Sequence, residues 1–331
     1  MTEELKNRLD AAAKQVDSFI ARLFPREMHQ ELHKASTHLL YAGGKRIRPF
    51  LVLASCELVG GNPEVAVPFA AAIELVHNFT LIHDDIIDRD KLRRGVATVH
   101  TLYGTSMAIL AGDTLFAKAF ESLMAAAGSV PPKRLLKAVD VMTKATIKVC
   151  EGQAMDMEFA HRLKVSEREY LMMIGKKTAA LMVAASEMGA IVGGGTPLKV
   201  NRLRKAMEAA GLAFQMVDDI LGLSADEQKL GKPVGSDIRE GKRTLITIYG
   251  LNHAGRAERE LIFRALGNSD ATKEEIREAV DVLTRLGAIN YVSLRAEAYR
   301  QKAKNELKKF SPSPVRESLL ALVDYIVARD R

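Results

Sequence analysis

Residues 74–95 read ELVHNFTLIHDDIIDRDKLRRG, and both the fold and the chemistry turn on them. The stretch enters as an apolar helix, with Ile73, Leu75, Val76, Phe79, Leu81 and Ile82 at helical spacing. Asp84, Asp85 and Asp88 follow in the same register. At about 3.6 residues per turn, Asp84 and Asp88 share a face one turn apart, while Asp85 points to the side. Two carboxylates on one face of a greasy helix repel each other and resist desolvation unless a divalent cation lies between them. Hard oxygen donors at that spacing suit Mg2+. A merely solvated helix end accounts poorly for them, because carboxylates at a C-terminus oppose the macrodipole.

Around this stretch the chain of 331 residues carries no Pro/Gly/Ser-rich linker, low-complexity block or fixed-period repeat, so a single domain over 1–331 is expected. Hydrophobic residues at 47% supply a core, and aromatics at 5% with no Trp favour helix over sheet. An all-α protein is the expectation. Helices are expected near residues 2–22, 28–41, from 49 to Leu58, then the helix above, and over 104–127, 132–152, 166–190 and 197–221. A loop over about 222–241 precedes shorter helices. Cys56 and Cys150 fit neither a disulfide framework nor a metal cluster and read as small buried hydrophobes, which suits a reducing cytoplasm. Residues 1–24 lack a signal-peptide core, and no uninterrupted apolar run approaches a membrane span of roughly 18 residues.

The net charge of +7 admits an anionic partner. No zinc-finger spacing, basic helix or aromatic RNA-binding motif is present, so nucleic acid is not expected. A second acidic pair, Asp218–Asp219, ends the apolar run GLAFQMVDDILGL, and only tertiary folding would let it act with the first. Cations mark the other half of the pattern. Lys45, Arg46 and Arg48 follow Gly43–Gly44 beside a helix start, where free N–H groups favour an anion. Arg93 and Arg94 follow the first acidic cluster, with Gly95 breaking the helix behind them. Lys176, Lys177 with Thr178, Lys232 and Lys242 add more. Two carboxylate clusters among such cations point to a polyanionic, metal-bound substrate such as a diphosphate.

The motifs GGKRIRP (43–49), DDIID followed by RRG (84–95), GQAMD (152–156), GKKTAAL (175–181), FQMVDDILG (214–222) and GKPVGSDIREGKRTL (231–245) resemble those of the trans-isoprenyl diphosphate synthases. The resemblance covers about residues 40–250 and includes the farnesyl and geranylgeranyl diphosphate synthases. It implies a single-domain helical barrel around a deep central cavity, usually a homodimer. It also implies about three Mg2+ ions per site that assist departure of an allylic diphosphate, after which isopentenyl diphosphate attacks the cation.

Carried over by position, the resemblance gives Asp84, Asp88 and Asp218 as metal ligands, with Asp219 in support. Arg93, Lys177, Lys232 and, more weakly, Lys242 would grip the allylic diphosphate. Thr178 and Gln215 would place oxygen dipoles near the developing cation. Lys45, Arg48, His77 and Arg94 would hold isopentenyl diphosphate, His77 lying two turns before Asp84. Phe79, about 7.5 Å along the helix from Asp84, with Thr80 beside it, would cap the growing chain near C20. Two positions depart from the family pattern. Gly222 stands where the second acidic motif usually ends in Asp, with Asp226 the nearest substitute, and Ala97 replaces a Pro after the RRG. The resemblance leaves open a C15 or mixed C15/C20 product and a regulatory subunit of a heteromeric synthase. A terpene cyclase should lack Lys45, Arg48 and Arg94.

Overall fold

A computed structural model describes residues 1–25, 27–224 and 235–327. The expectation of an all-α fold holds. Among the described residues the only sheet is a two-stranded hairpin, β1 (Leu92–Arg93) against β2 (Val96–Ala97).

Packing divides the chain into two compact units. The first comprises Met1–Ile147, Ala180–Glu208 and Lys304–Tyr325; the second comprises Lys148–Ala179, Ala209–Ala303 and Ile326–Arg331.

The first unit is built around one helix. The helices α1 (Glu3–Leu23), α2 (Gln30–Tyr41), α3 (Ile47–Leu58) and α4 (Val67–Asp88) are followed by the hairpin, α5 (Val99–Tyr103) and α6 (Thr105–Met124). α1 is amphipathic, burying Leu5, Leu9, Ala12, Val16, Ile20 and Leu23 at three- and four-residue spacing, and Thr2 caps its start. α4 is different. Every residue from Val67 to Val76 is buried, as in a helix enclosed on all sides, and α1, α3, α6 and α9 (Ala180–Val192) pack on it. Of the described helices, only residues 63–88 are long and apolar enough to cross a membrane, and 72% of the qualifying 18-residue stretch within them is buried inside the protein.

The second unit has its own core, in which Tyr170, Ile174, Met216, Leu245, Ile246, Ile262 and Leu283 are buried. It holds α8 (Glu167–Ile174), α12 (Leu245–His253), α13 (Arg256–Ala265) and α14 (Lys273–Arg285), with the short α11 (Ser236–Arg239) ahead of α12. Capping boxes open α8 (Ser166, Glu169) and α14 (Thr272, Glu275). Three long helices run through both units: α7 (Pro132–Ala160), α10 (Pro197–Ser224) and α15 (Ala288–Leu307). α16 (Pro314–Val327) follows.

Several expectations need correction. The helix expected over 166–190 is interrupted by a π-helical turn at Gly175–Ala179. α7 runs eight residues past the expected end at 152, to Ala160. Within the expected loop over 222–241, Ser236–Arg239 is helical. Cys56 is buried as expected, but Cys150 is exposed, because it faces outward from α7. The helix carrying the first acidic motif ends at Asp88, not at Gly95. Arg89 caps it in the left-handed region at φ 56°, and Arg93 and Arg94 lie on the hairpin. Arg94 (φ 52°) and Gly95 (φ 78°) form the two-residue turn between β1 and β2. Positive φ at both positions is what a type I′ hairpin requires.

The crossing of α3 and α9 is close enough to test. A Cβ on Gly189 would lie 2.0 Å from the Val52 carbonyl oxygen, and backbone cannot move aside as a side chain can. Gly189→Ala is expected to destabilise the protein by about 3 kcal/mol in urea unfolding. A loss below about 0.5 kcal/mol would mean that the two helices part freely.

Candidate active site

The residues expected from sequence fall into two sets, one in each unit. In the first unit they sit on α4, on the loop before α3 and on the hairpin.

α4 carries His77, Phe79, Thr80, Asp84, Asp85 and Asp88. Asp84 and Asp88 are half-buried in its last turns. Asp85 lies to the side of that face, as expected, and its side is turned into the protein. It is 1% exposed and accepts from Arg93 Nε at 2.5 Å. Burial pushes its carboxyl up to about 6, with the Arg93 charge pulling the other way. Its second oxygen is buried with no hydrogen-bond donor among the described residues. Arg93 also reaches Asp90 at 3.5 Å.

The basic groups gather near His77. Arg48 Nη1 donates to His77 Nε2 at 3.2 Å. Burial, and then the charges of Arg48, Arg94, Arg93 and Arg46, push the imidazole well below its ordinary range. A guanidinium has only donors, so the ring must be neutral, accepting at Nε2 and carrying its proton on Nδ1. Arg94 donates to the carbonyls of Leu39, at 3.2 Å, and Gly43. The Lys45 amine sits 4.7 Å over the Tyr325 ring and donates to its hydroxyl. The hairpin itself is tied down by His38, whose Nε2 donates to the carbonyl of Ala97 at 2.8 Å.

Phe79 is half-buried, its ring 5.2 Å from Phe116 and 4.8 Å from His83. Phe120 continues the series 5.2 Å from Phe116. The aromatic pair on α6 went unread in the sequence, although its i, i+4 spacing marks a shared face. Thr80 turns its hydroxyl onto the His77 carbonyl at 2.8 Å.

In the second unit the π turn Gly175–Ala179 presents Lys177 and Thr178, and two glycines let other helices approach it. A Cβ on Gly152 would lie 2.3 Å from the Lys177 nitrogen, and one on Gly211 would lie 2.6 Å from Ala179 Cβ. Lys177 Nζ pairs with Asp156 at 2.6 Å. A hydrogen-bonded chain follows: Thr178 Oγ1 donates to Gln215 Oε1 at 2.7 Å, and Gln215 Nε2 to Asp219 Oδ1 at 2.9 Å. The Tyr170 hydroxyl donates to Asp219 Oδ2 at 2.6 Å. Both oxygens of Asp219 are thus engaged from within the protein. Burial pushes its carboxyl up to about 8 against these two bonds. Asp218, by contrast, is exposed.

Gly222 is answered from elsewhere in the chain. Asp237 Oδ2 lies 3.1 Å from where a Cβ on Gly222 would stand. Lys242 Nζ donates to Asp237 Oδ1 at 3.2 Å and pairs with Glu240 at 2.8 Å. Tyr170 and Asp237 were not foreseen, because neither lies in an acidic pair or a cation cluster. Lys232 and Asp226 lie outside the described residues.

The donor chemistry fits a hard divalent cation. Asp84 and Asp88 stand one turn apart on α4, and the bare buried oxygen of Asp85 lies between them in sequence. Among the described residues no three acidic, imidazole or thiol groups form a closed cage. A cation held by one or two carboxylates, with a substrate's phosphate oxygens completing its shell, needs none.

Comparison with known proteins places these features in a family. The polyprenyl synthetase family model matches residues 29–283, and the chain belongs to that family. It is 47% identical over 301 residues to a short chain isoprenyl diphosphate synthase of Methanothermobacter thermautotrophicus, covering 91% of each chain. It is 43% identical over 330 residues to a geranylgeranyl diphosphate synthase of Methanosarcina mazei, covering 100% of this chain and 98% of the other. The crystal structure of a geranylgeranyl pyrophosphate synthetase from Pyrococcus horikoshii superposes with a TM-score of 0.93 at 43% identity, covering 99% of each chain.

The raised carboxyl of Asp219 gives a signed expectation. A group whose folded pKa lies above its unfolded value stabilises fully below the unfolded value, and that contribution fades as pH rises through about 8. Without divalent cations, thermal stability of the wild type is expected to fall from pH 5 to pH 8.5 more steeply than that of Asp219→Asn. Parallel curves would remove the buried carboxyl from the account.

Proposed function

We propose that the protein is a prenyltransferase that joins isopentenyl diphosphate to allylic diphosphates and releases mainly the C20 product, geranylgeranyl diphosphate. The observation that carries this reading is the cationic group around a neutral His77. Arg48, which donates to His77, and the charges of Arg94, Arg93 and Arg46 that bear on it make up that group, as a second diphosphate site requires and a cyclase does not. The family match and the relatives above support the same chemistry, and the match runs through both units, in keeping with one catalytic domain.

Each group then has a role. Asp84, Asp88 and Asp218 would hold Mg2+, about three ions if each carboxylate site is filled. Bound there, Mg2+ supplies charge neutralisation for the diphosphate leaving group. Asp237, beside Gly222, offers the carboxylate that the second motif lacks. Asp219, the buried neighbour of Asp218, fixes Gln215 and through it Thr178. Arg93, Lys177, Lys232 and Lys242 grip the allylic diphosphate. As the C–O bond breaks, the electron pair leaves with the diphosphate and an allylic cation remains. Thr178 spends its one O–H donor on Gln215 Oε1, so its lone pairs are left to face that cation.

His77 Nδ1–H, Lys45, Arg48 and Arg94 hold isopentenyl diphosphate. Its double bond attacks the cation, a new C–C bond forms, and the proton lost from the adjacent carbon goes to the departed diphosphate. No protein nucleophile is required. Exposed Ile109, Leu110 and Met124 on α6 suit a homodimer, and the free thiols suit the cytoplasm.

The test is direct. The purified chain with Mg2+, labelled isopentenyl diphosphate and C5, C10 or C15 allylic diphosphate is expected to yield C20 diphosphate without any partner. No incorporation alone, or a cyclic hydrocarbon, would overturn the reading in favour of a regulatory subunit or a cyclase. Phe79→Ala, which opens the space before Phe116, is expected to shift product toward C25 and longer. An unchanged chain-length profile would exclude the ring as a floor.

A further inference from the structure

Of the cations Lys45, Arg46 and Arg48, one faces inward. Arg46 is 5% exposed, and its backbone is left-handed at φ 46°, a conformation that a bulky residue adopts only when its surroundings impose it. That conformation turns the guanidinium into the protein while Lys45 remains exposed.

Every nitrogen of the Arg46 fork is used. Nε donates to Asp17 on α1 at 2.8 Å. Nη1 donates to Glu74 on α4 at 3.1 Å and to the Gly43 carbonyl at 3.2 Å. Nη2 donates to the Leu40 carbonyl at the end of α2 at 2.5 Å. Glu74 is 2% exposed and is itself fixed by Asn78, one turn on, whose Nδ2 donates to its carboxylate at 3.1 Å and to its carbonyl at 2.8 Å.

This pair meets one isopentenyl diphosphate ligand, Arg94, through a shared acceptor and stands beside the other three along the chain. The Gly43 carbonyl that receives Arg46 also receives Arg94. Glu74 lies one turn before His77, which holds Arg48. Lys45 is the residue before Arg46. Burial disfavours charge at Arg46 and Arg94, and Glu74 is the leading attraction opposing it at both. Gly44 fills the gap. Its φ is +136°, and a Cβ there would stand 3.1 Å from both the Arg46 and the Arg94 guanidinium.

We propose that Glu74, acting through Arg46, is a positioning residue for the isopentenyl diphosphate ligands Lys45, Arg48, His77 and Arg94. The buried carboxylate is the fixed negative post that holds Arg46 inward against its cationic neighbours, and Arg46 in turn sets the path of residues 43–48. The ligand role of those four residues rests on the function proposed above. The fork is planar and its contacts converge from α1, α4 and residues 40–43, so a lysine cannot replace it.

The test compares wild type with Glu74→Gln, Arg46→Lys and Gly44→Ala, using KM for each substrate and calorimetric binding of isopentenyl diphosphate. Glu74→Gln keeps the shape and loses the charge. The other two keep the charge and disturb the fork or the gap. Each variant is expected to raise KM for isopentenyl diphosphate tenfold or more, with KM for the allylic diphosphate within about twofold. Glu74→Asp should recover part of the loss. Unchanged binding of isopentenyl diphosphate, or an equal rise in both KM values, would overturn the proposal. If Glu74→Gln fails to fold, Gly44→Ala, which removes no charge, decides the matter by the same ratio. A wild type that binds isopentenyl diphosphate yet condenses nothing would refute the prenyltransferase reading while leaving the calorimetric comparison to judge Glu74.

Discussion

Burial of α4 is the constraint on which the rest depends. A polar side chain on a helix so deeply packed needs a partner, because an unmatched buried charge or amide costs more than a good hydrogen bond returns. Yet α4 carries Glu74, His77, Asn78 and Asp85 among Ile73, Leu75, Val76 and Ile82. Partners are accordingly drawn to fixed places, Arg46 to Glu74, Arg48 to His77 and Arg93 to one oxygen of Asp85, whose other oxygen is left without a donor among the described residues. The arginines that would meet diphosphate are thus oriented by the same packing that forms the core. Stability and recognition share these contacts, and a change in one is felt in the other.

The second unit solves a similar problem with neutral groups. Asp219 is 6% exposed, and no cation among the described residues pairs with it. A tyrosine hydroxyl and a glutamine amide do so, and the glutamine passes the constraint on to Thr178 in the π turn. π turns inside helices often accompany functional sites, and here the turn lies under Gly152 and Gly211, where any side chain would push it outward. Rigidity of this kind is useful to a reaction that proceeds through a bare carbocation, since oriented dipoles stabilise charge without having to reorganise.

Much of the site was legible because its chemistry is local in sequence. Asp84 and Asp88 announce themselves by spacing on one helix face, and Lys45 with Arg48 by their place beside glycines. What was not legible arises from tertiary approach. Arg46 reads like its neighbours, and only its left-handed backbone and four acceptors, drawn from α1, α4 and residues 40–43, distinguish it. Asp219 reads as a twin of Asp218, yet a buried tyrosine far earlier in the chain engages it. Gly222 reads as a lost carboxylate, and the carboxylate beside it comes from Asp237. The fold class followed from composition and periodicity. Helix ends followed less well: α4 stops at Asp88 because Arg89 turns left-handed behind it, which a run of polar residues does not reveal.

The central claim is that carboxylates on a buried helix hold a diphosphate only through Mg2+. Calorimetry with an unreactive allylic thiolodiphosphate tests it most directly, in Mg2+ and again in a chelator, for the wild type and for Asp84→Asn. The account predicts tight binding by the wild type that disappears in the chelator, and little gain from Mg2+ once Asp84 is replaced. Equal affinity with and without the metal would contradict it.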